Sequence, residues 1–150
     1  MKKNVYGGAK LAFHKEKIEA LSNNQVTAPI SVRIKPTNKC SHKCFYCAYQ
    51  PEFGLTVSEK FNFKDKIPKE KMMEILDDFK EIGVKAITYA GGGEPLMYPH
   101  IIGAMKKNLE YKIDFSIITN GQFLRNEKAE ILAQSEWTRI SSSEIDAKTF

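Results

Sequence analysis

Three cysteines, Cys40, Cys44 and Cys47, fall within eight residues of the stretch NKCSHKCFYCAY, and the chain has no others. Thiols this close together are usually metal ligands or redox groups. The N-terminus, MKKNVYGGAKLAFHKEK, shows neither a sustained apolar run nor a small-residue cleavage site, so the cytoplasm is the expected compartment. There, an odd cysteine count argues against a disulfide framework. Iron-sulfur cubanes usually take four thiolates, so three would leave one iron without a protein ligand and open to a second molecule. Catalytic metal sites keep a vacant position in the same way. Lys39 and Lys43, beside the cysteines, would help to hold thiolate charge. Two plainer readings compete. Structural zinc needs four ligands, and His42 could complete a Cys3His set, although all four would then have to meet from one tight loop. Three unligated thiols are the other, disfavoured by the lack of an apolar pattern around them.

The elements that must position this loop follow from the pattern of apolar residues. PISVRIKP, bounded by Pro29 and Pro36, is short and β-branched and predicts a strand that ends where the cysteine loop begins. PKEKMMEILDDFKEIG sets Met72, Ile75, Leu76, Phe79 and Ile82 on one helical face, with Pro68 in the first turn and Gly83 past the end. VKAITYAGGGEP reads as a buried strand running into glycines, followed by a helix over residues 100–109. KIDFSIITNG, a helix over residues 126–134, and WTRISSS repeat the alternation. Asn120-Gly121 alone suits a hairpin turn, but the charged, helix-like sequence after it favours strand, loop, helix. Such alternation implies a parallel sheet, because a parallel crossover needs a dozen or more residues. An amphipathic helix over residues 10–22 precedes it, giving an N-terminal helical extension at 1–28 and a core domain at 29–150.

Every distinctive polar cluster thus falls at the carboxyl end of a strand, the edge where parallel α/β folds build their sites. Gly91, Gly92 and Gly93 let the backbone approach a ligand closely, and Glu94 presents a carboxylate suited to an ammonium group beside main-chain amides expected to be exposed. The loop lacks the lysine and hydroxyl of a P-loop. Composition adds only exclusions. With 42% hydrophobic and 27% charged residues the chain reads as globular, and no apolar run approaches a membrane span. The net charge of +5 comes from lysines spread among acidic residues, without the block that would signal nucleic acid. Arg33 and Lys35 on the first strand suit an anionic substrate if they face the ligand side of the sheet, which alternation alone leaves open. Phe45, Tyr49 and Phe53 are candidates to shield the cysteine loop.

Taken in order, CSHKCFYC with its C-x-x-x-C-x-x-C spacing, GGGEP, TNG and a strand reading RIS resemble the radical S-adenosylmethionine (radical SAM) superfamily, from about Ile30 to the last residue. The resemblance is greatest to the branch with molybdenum-cofactor cyclases and peptide- or sulfatase-maturing enzymes. It implies a parallel-stranded partial (β/α) barrel of radical SAM type, here stopping after the fourth strand, and an enzyme that cleaves SAM reductively to a 5′-deoxyadenosyl radical for hydrogen abstraction. A non-catalytic iron-sulfur or zinc module is the alternative. By resemblance, Cys40, Cys44 and Cys47 ligate three irons of a [4Fe-4S] cluster and SAM takes the fourth. Tyr46 lies near the adenine; Gly92, Gly93 and Glu94 hold the methionine amino group; Thr119 and Asn120 line the SAM and substrate region; Ser141 contacts the ribose. Ser143 stands where the family often has aspartate. An acidic electron donor of flavodoxin or ferredoxin type, attracted by Lys35, Lys39 and Lys43, and a peptide or small-molecule substrate are the expected partners.

Overall fold

The structure, a computed structural model, describes residues 13–44, 46–49 and 61–142. Four strands, β1 (Ser31–Ile34), β2 (Ala86–Tyr89), β3 (Asp114–Thr119) and β4 (Trp137–Ile140), form one sheet in the order β1-β2-β3-β4. All three pairings are parallel, and a helix lies in each connection: α2 (Lys69–Glu81), α3 (Ile101–Tyr111) and α4 (Glu127–Leu132). The expected α/β alternation is therefore the observed one. The N-terminal helix α1 spans Lys15–Ser22 and buries none of its residues; positions 10–12 of the expected helix, and Phe45, Phe53 and Ser143, lie outside the described residues.

The helix α2 shows how the sequence sets its own limits. Met72 and Leu76, one turn apart, are fully buried, and Met73, Ile75 and Phe79 pack beside them. Pro68 is the residue before the first turn, not within it. At the other end Gly83 takes φ +79°, its N–H donating to the Lys80 carbonyl (3.2 Å) while Val84 N–H donates to that of Phe79 (2.9 Å). This is the paired closure of a Schellman motif, which needs a left-handed residue at that position. Ile82, expected on the apolar face, is instead half exposed because it caps the helix.

The same closure ends α3 without a glycine. Lys112 sits at φ 55°, ψ 35°, with its N–H on the Leu109 carbonyl (3.1 Å) and Ile113 N–H on that of Asn108 (3.0 Å). A side chain in this conformation costs about 1 kcal/mol that glycine avoids. Lys112→Gly should therefore raise the urea midpoint by an amount worth about 0.5–1 kcal/mol; an unchanged or lower midpoint would show that the lysine side chain compensates the strain.

Tyr111 and Lys107 on α3 also clip to α2. Lys107 Nζ lies 2.7 Å from Asp77 Oδ1, and the Tyr111 hydroxyl donates to the same oxygen. The hydrogen bond from Lys107, then that from Tyr111, holds the Asp77 carboxyl below its ordinary range.

Pleating divides the sheet into two unlike faces. Ile34, Ile87, Tyr89, Phe115 and Ile117 are buried in one core with residues of α2, α3 and α4, and Asn108 Nδ2 of α3 donates to the Tyr89 hydroxyl (3.1 Å). The alternate residues share the other face, as the contact between Thr88 Oγ1 and Ser116 Oγ (2.9 Å) shows directly. Arg33 and Trp137 belong to that row by register, and both are exposed. No helix among the described residues is long and apolar enough to cross a membrane.

Candidate SAM and iron-sulfur site

Where β1 ends, sheet pairing continues. Ala90 N–H donates to the Ile34 carbonyl (3.0 Å), Gly93 N–H to that of Thr37 (2.9 Å) and Glu94 N–H to that of Lys39 (2.9 Å). The cysteine loop thus departs along the glycine loop as an added strand segment. On its other side residues 62–67 return to it: Ile67 N–H donates to the Pro36 carbonyl (3.0 Å), Asn38 N–H to that of Asp65 (2.9 Å), and Thr37 bridges Lys66 in antiparallel sense. Asn38 Nδ2 adds a bond to the Asn62 carbonyl (2.9 Å). Residues 37–39 are held between two neighbours, which fixes the point from which the three cysteines project. The sequence marks the connection after the cysteines only as polar and aromatic, and nothing in its pattern foretells this clamp.

The closeness of the two loops explains two glycines. A Cβ on Gly93 would stand 2.2 Å from the Lys39 carbonyl oxygen, and one on Gly92, which adopts φ +82°, would stand 2.8 Å from Asn38 Oδ1. The expectation that this loop allows close backbone approach is met, but the approaching backbone belongs to the cysteine loop. The Gly93 and Glu94 amides, expected to be exposed, are likewise engaged by its carbonyls.

Glu94 is 3% exposed. Its Oε1 accepts from Leu96 N–H (2.9 Å), closing the short 3-10 helix Pro95–Met97, and from the Thr119 hydroxyl (2.6 Å); its Oε2 accepts from Asn120 N–H (2.7 Å). A carboxylate offers about four lone-pair sites, so three are filled. Thr119, expected to line the SAM region, is buried and turned to Glu94, and serves the rim through it. Asn120 Nδ2 reaches Ser41 Oγ of the cysteine loop (3.2 Å), and Ser141 N–H donates to the Thr119 carbonyl (2.8 Å). One hydrogen-bonded chain therefore joins the cysteine loop, the glycine loop, the Thr119-Asn120-Gly121 loop and the end of β4.

Cys40, Cys44 and Cys47 are each half-buried thiols. A turn closes between the last two, with Cys47 N–H on the Cys44 carbonyl (3.0 Å). Burial pushes the Cys40 thiol up; the His42 N–H on its Sγ (3.5 Å) pulls it down, and Glu94 and the other two sulfurs add a smaller upward push. Ligation requires the thiolate, so a metal binding here displaces the proton. Among the described residues no three His, Cys, Asp or Glu side chains are placed to hold a single ion. Three thiols on one short loop can give one thiolate to each of three irons of a cubane. The donor set fits the cluster. Tyr46 is exposed on this loop, and the Tyr49 hydroxyl accepts from Lys35 Nζ (2.6 Å) while its ring packs on Phe61 (5.1 Å).

The profile of the Radical SAM superfamily matches residues 34–143. A GTP 3′,8-cyclase of Listeria welshimeri is 35% identical over 119 residues, covering 75% of this chain and 32% of the relative. An S-adenosylmethionine-dependent nucleotide dehydratase of Selenomonas ruminantium is 29% identical over 122 residues, 79% of this chain and 40% of the relative. The chain thus spans about a third of the length of the curated relatives it matches. Among solved structures, Streptococcus suis SuiB bound to S-adenosylmethionine aligns with a TM-score of 0.61 and 26% identity, over 85% of this chain and 28% of SuiB. BtrN in complex with AdoMet and 2-DOIA aligns at 0.64 with 16% identity, over 81% of this chain and 49% of its own, a likeness of fold. With the profile covering most of its described core and the sheet matching solved members, this chain belongs to the radical SAM superfamily.

Proposed function

We propose that residues 29–150 form the part of a radical SAM enzyme that holds the [4Fe-4S] cluster and S-adenosylmethionine, the cofactors of this superfamily, with residues 1–28 as an added helical extension. When bound and reduced, the cluster supplies the electron that splits SAM into methionine and a 5′-deoxyadenosyl radical, the species that removes a hydrogen atom from the substrate. The observation that carries this reading is the fastening of the cysteine loop to Gly93 and Glu94, and of Glu94 in turn to Thr119 and Asn120.

Each residue has a part in it. Cys40, Cys44 and Cys47 would hold the cluster, each giving a thiolate to one iron, and would leave one iron open to SAM. Gly92, Gly93 and Glu94 receive the methionine ammonium. The lone pair still available on Glu94 is its one remaining acceptor site, and the carbonyls of Gly91 and Gly92 accept nothing among the described residues. Asn120, with Thr119 behind it, and Ser141 border the ribose and substrate side, and Tyr46 offers its ring to the adenine. Enzymes of this superfamily use a reductant and a substrate; here exposed Lys35, Lys39 and Lys43 suit an acidic flavodoxin-type donor. Substrate names among the relatives point two ways, to nucleotides for the cyclase and dehydratase and to a precursor peptide for SuiB.

Anaerobic reconstitution with iron and sulfide should give about four irons per chain and 5′-deoxyadenosine that forms only with SAM and reductant. With flavodoxin as donor the rate should fall as salt rises. A cluster without 5′-deoxyadenosine would make the chain a non-catalytic module, and stoichiometric zinc without iron would remove the radical reading altogether.

A further inference from the structure

Register settles which way the β1 cations face. Arg33 pairs with Thr88, Thr88 with Ser116, and Ser116 with Trp137, so these four side chains form one row across the sheet. The next row toward the cysteine loop holds Lys35, Ala90, Ile118 and Arg139, by the Ala90–Ile34 bond and the pairing of Ile118 with Arg139. The hydroxyl contact between Thr88 and Ser116 confirms the shared face, and the burial of Ile34, Ile87, Tyr89 and Ile117 against the helices shows that it is the face turned away from them.

That face has an uneven chemistry. Arg33, Lys35, Trp137 and Arg139 are exposed on it, and among the described residues neither arginine has an ion-pair or hydrogen-bond partner. Among the described strand residues its one carboxylate, Asp114, lies in the row at the amino end of the strands, away from the cysteines. Guanidinium groups bind phosphate by paired hydrogen bonds, and an exposed indole offers a flat surface to a heteroaromatic ring. Strands lie about 4.8 Å apart, so β1 and β4 are separated by roughly 14 Å. A ring stacked on Trp137 and phosphates reaching Arg33 would span that width.

Resting on the SAM-cleaving reading above, we infer that the substrate is a nucleoside polyphosphate lying across this face, its base on Trp137 and Arg139 and its phosphates at Arg33 and Lys35. The Thr88 and Ser116 hydroxyls lie between them, under the sugar. A nucleoside polyphosphate joins a flat base and a polyanion in one molecule, which matches an indole at one end of the face and cations at the other.

Trp137 is the chain's sole tryptophan, which makes its emission a report from the site. The reconstituted full chain, without reductant, is titrated with GTP, guanosine and inorganic tripolyphosphate by equilibrium dialysis and by Trp137 emission. GTP should bind and change the emission, guanosine should bind at least about 10-fold more weakly, and tripolyphosphate should compete with GTP while leaving the emission nearly unchanged. Arg33→Gln and Arg139→Gln, with far-ultraviolet dichroism intact, should each weaken GTP by about 10-fold, whereas Lys69→Gln on the helical side should not. Equal binding of GTP and guanosine, or equal loss in all three variants, would overturn the inference. Binding needs no reductant, so nucleotide binding here combined with no 5′-deoxyadenosine in the separate assay with SAM and reductant would count against the catalytic reading alone.

Discussion

Gly93→Ala should detach the cysteine loop and lower stability by about 3 kcal/mol. The new methyl carbon would stand 2.2 Å from the Lys39 carbonyl oxygen and 2.5 Å from the carbonyl carbons of Asn38 and Lys39. All three are backbone atoms, so no rotamer change makes room. The loops must separate, and separation breaks the bonds from Gly93 N–H to Thr37 and from Glu94 N–H to Lys39, both 2.9 Å. Overpacking of this kind costs about 1–3 kcal/mol, and each lost backbone bond about 0.5–1.5 kcal/mol more. Against the 5–15 kcal/mol typical of a whole domain this is a large share. Gly103→Ala is the matched control: its methyl would meet only Met73 Cε at 3.9 Å, inside α3, so it should be neutral or stabilise by up to about 1 kcal/mol. Urea midpoints compare the two variants, and iron retained after reconstitution and gel filtration follows the consequence for the site. A Gly93→Ala chain with the wild-type midpoint and full iron would mean that the loops do not interlock.

The contrast between these glycines shows what the sequence can and cannot say. AGGGEP announces close approach but not its partner, because residues 37–39 are about fifty positions away and the contact is made by backbone. Local structure was legible where single residues or their spacing carry it. Apolar spacing places α2, α3 and the four strands to within a few residues, and Gly83 marks the end of α2 because its left-handed conformation is a property of one residue. At Lys112 the same conformation carries no such mark, and the helix ends there anyway. Parallel topology follows from strand-helix alternation, and with it the gathering of the cysteines, Glu94, Asn120 and Ser141 on one rim. What alternation leaves undecided is register. Thr119 and Asn120 are adjacent in sequence, yet one faces the helices and the other the rim, so only one of them borders the mouth. Arg33 was undecided for the same reason until its pairing with Thr88 placed it. The grip of residues 62–67 on the cysteine loop has no periodicity at all, so no pattern in the sequence could have disclosed it.

Glu94→Gln should weaken the SAM-free chain by about 2–3 kcal/mol, before any effect on ligand. Three donors converge on the carboxylate: Leu96 N–H and the Thr119 hydroxyl on Oε1, Asn120 N–H on Oε2. An amide has one oxygen to offer and must place its NH2 where the other was. Set at the Oε2 position, that NH2 opposes the Asn120 N–H, and a buried donor is left without an acceptor at about 1–3 kcal/mol. Set at Oε1 it opposes two donors, of which the Leu96 N–H cannot turn away. The lost charge also weakens whichever bonds survive, since bonds to ionised groups are about twice as strong as neutral ones. The Asn120 loop then loses its tie to the glycine loop, so SAM affinity should drop as well, by about 10-fold. The order of these effects separates two roles for the residue. If Glu94 acts mainly as a direct acceptor for the methionine ammonium, the SAM-free variant keeps its urea midpoint, and a SAM analogue lacking the amino group binds wild type and variant alike. If it acts mainly as the tether between the loops, the midpoint falls without any ligand, and the amino-free analogue loses affinity along with SAM. The geometry, with three of about four acceptor sites already taken by the protein and 3% of the residue exposed, predicts the second pattern, in which the one remaining site meets the ammonium while the other three hold the loops together; the first would mean that the bonds to Leu96, Thr119 and Asn120 add little to the fold.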